Sequence, residues 1–163
     1  MTKLFEFDNY KNSSCPRTAL ILGYAGLIPF VVSILFIVLG IDFIVDPFKL
    51  LMYYGALILS FVGAVSWGFA TLNVTKENNI QEYLLLWSVI PALLAFFALL
   101  INQTLGFFFL IFGFILAFVV DRKVGKILSV PSWYLFLRLR LTILVTSCLF
   151  VGLIKNLLLV AQN

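Results

Sequence analysis

The chain has 163 residues, of which 63% are apolar, 17% aromatic and 11% charged, with a formal charge of +4. Soluble domains carry roughly 45–50% apolar and about 25% charged residues, so this composition, with a mean hydropathy of +1.14, all but excludes a soluble globular fold. Histidine is absent and cysteine occurs twice, which removes histidine acid–base chemistry, histidine metal sites and cysteine-rich zinc sites.

The first 17 residues are polar and of mixed charge, with Glu6 and Asp8 beside Lys3, Lys11 and Arg17. They lack the pattern of a cleaved signal or of an Arg-rich presequence, and are expected to form a cytoplasmic tail. A bilayer core about 30 Å thick needs roughly 20 apolar residues per helix. The first such run, 18–41, ends at Asp42 and carries Gly26 and Pro29, so a kink is expected there.

The second run, 50–75, ends before Lys76 and Glu77. Ala56, Ser60, Ala64 and Gly68 recur every fourth residue along one helix face, and Gly55, Gly63, Ser66 and Ala70 are expected to broaden that smooth surface. Helices in lipid associate through close backbone approach at small residues. This span is therefore expected at the centre of the bundle, with Ala56, Ser60, Ala64 and Gly68 as its packing face; a homodimer face is the alternative.

Residues 83–120 hold no charge and are too long for one helix. The polar break Asn102-Gln103-Thr104 divides them into spans over 82–101 and 105–120; a single tilted helix with a re-entrant piece is the other reading. The third span contains Pro91, and Ser88 is placed to help satisfy the carbonyls it frees. The fourth is rich in phenylalanine, with Phe107, Phe108, Phe109, Phe112, Phe114 and Phe118. Most of these are expected on the lipid side, with Gly113 and Ala117 turned to a neighbour. The fifth span, 133–157, carries Arg138 and Arg140 near its start. The runs are continuously apolar rather than alternating, which selects helices over a barrel. The fold class is all-α integral membrane, a five-helix bundle formed by residues 18–160.

With five spans, Lys3, Lys11, Arg17, Lys76, Arg122, Lys123, Lys126, Arg138 and Arg140 share one side, against Lys49 and Lys155 on the other. The positive-inside rule puts the N-terminus in and the C-terminus out. The net positive charge is read as topology, with anionic lipid as a secondary partner and no nucleic acid. The expected location is a bacterial cytoplasmic (inner) membrane, ahead of the mitochondrial inner membrane. Cys15 falls in the tail and Cys148 deep in the fifth span, so no disulfide is expected between them.

The same topology gathers Tyr24, Trp67, Glu82, Tyr83, Trp87, Asp121, Trp133, Tyr134, Arg138 and Arg140 toward the inner leaflet. One reading is an interfacial aromatic belt with snorkelling arginines. The other is a site in which Arg138 or Arg140 pairs with Asp121 or Glu82 inside the bundle.

The stretches PRTALILGYAGLIPF (16–30), YYGALILSFVGAVSWGFA (53–70), LLWSVIPALLA (85–95), DRK (121–123) and PSWYLFLRLRLT (131–142) together resemble a multi-span membrane family with bacterial and mitochondrial members, catalogued as domain of unknown function 3429, the transmembrane protein 69 type. The resemblance covers roughly residues 16–150. Members often carry a histidine just before the Trp of the second span, where this chain has Ser66, so any proton handling by that histidine would be missing here. The resemblance implies the multi-helix membrane fold and brings no activity with it.

The chain shows no catalytic set and no paired carboxylates within a span, so neither an enzyme nor a cofactor or metal site is expected. The leading expectation is an accessory or assembly protein that contacts another membrane protein. The alternative is a binder or carrier of a small apolar or amphipathic ligand, such as a lipid or quinone, in a pocket bounded by Trp67, Trp87 and Arg138 or Arg140.

Overall fold

The computed structural model describes residues 15–41, 44–71, 78–128 and 130–162. The tail before Cys15, the end of the first span at Asp42 and the end of the second at 72–75 lie outside the described residues, as do Lys3, Lys11 and Lys76. Within them the order is α1 (Arg17–Ala25), α2 (Ile28–Leu39), α3 (Pro47–Thr71), α4 (Asn78–Leu100), α5 (Gln103–Ile127) and α6 (Ser132–Gln162), with no strand among the described residues. Among the described residues five stretches are long and apolar enough to cross a membrane, with α1 and α2 counted as one.

In the first span the helix is interrupted at Gly26-Leu27, although both residues keep right-handed helical backbone angles. Pro29 sits in the first turn of α2, where its missing N–H and fixed φ are tolerated. The chain turns at Gly26-Leu27, and Tyr54 Oη of α3 donates to the Gly26 carbonyl at 3.0 Å. That bond satisfies a backbone acceptor at the break, which lipid could not do. The Tyr54 ring also meets Phe30 edge-on, centroids 5.0 Å apart. Gly40 ends α2 at φ 64°, ψ 32°, the left-handed conformation that glycine adopts without strain.

The 83–120 stretch forms two helices because Asn102 caps the second. Its backbone is extended, and its side chain accepts from Leu105 N at 2.9 Å. The expected fourth span, 105–120, is too short: α5 continues to Ile127, so Asp121, Arg122, Lys123 and Lys126 lie inside the helix. Charge ended the apolar run but not the helix. Cations in the last turns suit the negative end of the helix dipole. The fifth span is likewise longer than 133–157, with 31 residues in α6.

Helix α3 contacts α2, α4, α5 and α6 and is the hub of the bundle. Its buried positions are Leu51, Met52, Gly55, Ala56, Leu59, Val62, Gly63, Ser66 and Ala70. The expected packing face of Ala56, Ser60, Ala64 and Gly68 is thereby corrected. Ala56 is buried and Ser60 half-buried, but Ala64 and Gly68 are exposed, and nothing lies within 4 Å of a Cβ added to Gly68. At about 100° per residue, a row of every fourth residue drifts some 40° per step and leaves the interface within three steps. A contact that stays on one side must mix steps of three and four, as the buried set does.

Among the glycines of α3 the tightest contact is at Gly63, where an added Cβ would stand 2.8 Å from Ser88 O and 2.9 Å from Pro91 Cγ. Helix α4 runs through Pro91. Ser88 Oγ donates to Leu85 O at 2.6 Å rather than to the Trp87 carbonyl that Pro91 leaves free. A helical serine reaches back to carbonyls three or four residues before it, not to its neighbour. On α5, Phe107 and Phe114 are buried in the core, while Phe108, Phe109 and Phe112 face outward and Gly113 and Ala117 face inward.

Candidate functional site

Asp121 of α5 and Arg138 of α6 lie equidistant from the connection between their helices: 127 − 121 and 138 − 132 both give six residues. In an antiparallel pair this register sets them opposite one another. Arg138 Nε donates to Asp121 Oδ2 at 2.8 Å, and the two side chains retain 11% and 6% exposure. A guanidinium this enclosed needs a counter-charge. Gly125 lets Leu135 approach to 3.0 Å from an added Cβ and brings the helices together next to the pair. Tyr134 lies within electrostatic reach of both charges, and its ring is set edge-on against Phe69 and Trp133.

The remaining members of the anticipated cluster go elsewhere. Arg140 is exposed, because two residues along a helix turn it to nearly the opposite side from Arg138. Glu82 is exposed for the same reason relative to buried Leu84. Trp67 is 53% exposed, one step beyond buried Ser66, whereas Trp87 is 7% exposed and packs with Ala70, Leu84, Val120 and Val124. Gln81 Nε2 donates to Ala70 O at 3.1 Å in that same contact of α3 with α4. The pocket expected between Trp67, Trp87 and an arginine therefore does not form: one indole faces outward and the other is a core side chain.

A pocket does form on the other side of Arg138. A groove of about 440 Å³ runs between the first span and α6, floored by α3 and α5. Gly23, Phe61, Phe114, Trp133, Leu141 and Thr142 are among its walls, and Arg138 and Tyr134 complete them. The wall is almost wholly apolar. Two buried polar atoms at these positions have no partner, Arg138 Nη2 and Thr142 Oγ1. Sequence reasoning missed Thr142; the available signal was its spacing, one helical turn after Arg138 and so on the same face. It also missed the Asn156 Nδ2 bond to Thr104 Oγ1, 2.9 Å, which joins α5 and α6 at their other ends.

No group of three His, Cys, Asp or Glu side chains among the described residues could hold a metal ion. The arrangement leaves two unpartnered polar atoms on residues that line an apolar groove.

Residues 15–154 match the family described as "Protein of unknown function (DUF3429)". The chain belongs to this family. A curated relative, "Transmembrane protein 69" of Xenopus tropicalis, is 35% identical over 158 residues, which cover 94% of this chain and 60% of that protein. The chain thus spans well under two thirds of that relative. No solved structure matches. Membership agrees with the resemblance seen in the sequence, and within the matched segment lie both partners of the ion pair and the whole groove wall. The family match thereby covers a multi-span membrane protein, with no role attached.

Proposed function

We propose that the protein binds an amphipathic small molecule in the groove between its first span and α6. The observation that carries this reading is the placement of Arg138. It is fixed by Asp121 through Nε and is among the residues that line an otherwise apolar groove. The volume, about 440 Å³, falls in the usual range for small-molecule sites, roughly 300–1,000 Å³. Apolar walls with a few convergent polar groups are the usual chemistry of such sites. Division of the first span at Gly26-Leu27 supports the reading, since both short helices contribute to the groove wall.

An accessory or assembly role in a larger membrane complex draws on no distinct surface. Exposed Phe96, Phe97, Phe108 and Phe112 have the composition expected of lipid contact. We place the protein in the bacterial cytoplasmic membrane, with the mitochondrial inner membrane as the alternative, and with the end that bears Arg17, Arg122, Lys123, Lys126 and Arg140 inside. These five cations are exposed and suit an anionic lipid surface. Native mass spectrometry after release from mild detergent tests the proposal. It should show one small amphiphile retained per chain; a chain carrying only the bulk lipid mixture in loose, variable number would overturn it.

A further inference from the structure

Arg138 and Thr142 stand one turn apart on α6, and both line the groove. Thr142 is 6% exposed. Several other serine and threonine hydroxyls donate back to their own helix: Ser33 to Pro29 O, Ser60 to Ala56 O, Ser88 to Leu85 O and Thr146 to Thr142 O. Thr142 Oγ1 makes no such bond, and Arg138 Nη2, on a residue one turn earlier, has no acceptor either. A buried donor without a partner is costly in an apolar setting. Two on adjacent turns, carried by side chains that line one groove, can be satisfied together by a single acceptor atom.

Charge decides what kind of acceptor. Asp121 already neutralises Arg138 at 2.8 Å. A carboxylate or phosphate entering the groove would compete with Asp121 for one guanidinium and leave a net negative charge among apolar side chains, which is strongly disfavoured. An uncharged carbonyl accepts from both donors and adds no charge. The exposed cations at the same end of the bundle can attract anionic head groups to the surface, but Arg17, Arg122, Lys123 and Lys126 are not part of the groove wall.

We infer that the groove selects a neutral amphiphile whose carbonyl-type oxygen (ketone, ester or quinone) accepts hydrogen bonds from Arg138 Nη2 and Thr142 Oγ1, with its apolar body running toward Phe61 and Leu141. This inference rests on the proposed amphiphile-binding function and specifies its ligand class.

Equilibrium dialysis of radiolabelled methyl decyl ketone, laurate and dodecane against the protein in nanodiscs, with empty nanodiscs subtracted, tests it. The chain lengths match, so the head group is the variable. The ketone should bind with one site per chain, at least tenfold tighter than laurate or dodecane. Thr142→Val should abolish that preference, and Thr142→Ser, which keeps the hydroxyl, should restore it. Both variants are close to isosteric, and a thermal melt of each verifies folding. If laurate binds as well as the ketone or better, the neutral-acceptor inference fails while the amphiphile site stands. Ketone binding unchanged in Thr142→Val, or dodecane binding equal to the ketone, also refutes the inference. If none binds above empty nanodiscs, the proposed function itself fails.

Discussion

Removing one partner of the Asp121–Arg138 pair tests whether the pair organises the α5–α6 hairpin. In Asp121→Leu, a guanidinium whose side chain is only 11% exposed loses its counter-charge. Unpairing a buried charge in this way costs about 3–5 kcal/mol. Two unit charges about 4 Å apart at an effective dielectric of ~20 attract by roughly 4 kcal/mol, so the two estimates agree in scale. Arg138→Met alone should also destabilise, by leaving the Asp121 carboxylate buried. The double variant Asp121→Leu/Arg138→Met replaces the pair by apolar side chains, and such exchanges are often neutral or stabilising. The expected cycle is therefore strongly non-additive, with a coupling energy above about 2 kcal/mol. Reversible unfolding in mixed detergent micelles, followed by circular dichroism, measures all four proteins. A coupling below ~0.5 kcal/mol, the scatter for independent sites, would refute the claim that these residues form one unit.

The glycines of α3 make a matched pair of tests. Gly63→Ala should destabilise by about 1–3 kcal/mol, because its Cβ would meet the Ser88 carbonyl and the rigid Pro91 ring; Gly68→Ala, with open space around it, should be neutral or stabilise by up to ~1 kcal/mol, and equal effects in the same unfolding assay would contradict the packing described. Tyr54→Phe keeps the ring against Phe30 and removes only the donor to Gly26 O. It should cost about 1 kcal/mol, and proteolysis or hydrogen exchange near the α1–α2 break should rise. Reporter fusions should place the N-terminus in the cytoplasm and the C-terminus on the opposite side; both ends in one compartment would contradict five crossings.

Much of the fold was legible because lipid imposes simple demands. Span length, the polar break at Asn102 and the small residues of the second span each follow from one requirement of the bilayer: backbone groups bonded internally, and close helix contact. Helix ends were less legible. Asp121 interrupts an apolar run, yet the helix continues for six residues to Ile127, since hydropathy reports the membrane and not the hydrogen-bond ladder. The site was half legible. Asp121, Trp133, Tyr134 and Arg138 do come together, because they flank one tight connection and their register is nearly fixed by it. Trp67, Trp87, Glu82 and Arg140 share a level with them but not a side. Level follows from topology, whereas side depends on helix phase and on which neighbour each helix meets. The groove escaped notice for a related reason: its wall draws residues from the first span, α3, α5 and α6, and which of their faces meet does not follow from the order of the spans.

The direct test of the account is whether filling the groove empties it. Gly23 lies on the wall, and a Cβ there would stand 3.2 Å from Leu141 and 3.6 Å from Leu137, so Gly23→Phe puts a ring into the slot. Gly68→Phe adds the same ring to an open outer face and serves as the control. Amphiphile retained per chain after purification in mild detergent, counted by mass spectrometry, should fall at least tenfold in Gly23→Phe and stay at the wild-type level in Gly68→Phe. Equal retention in all three proteins would mean that whatever lipid they carry sits elsewhere.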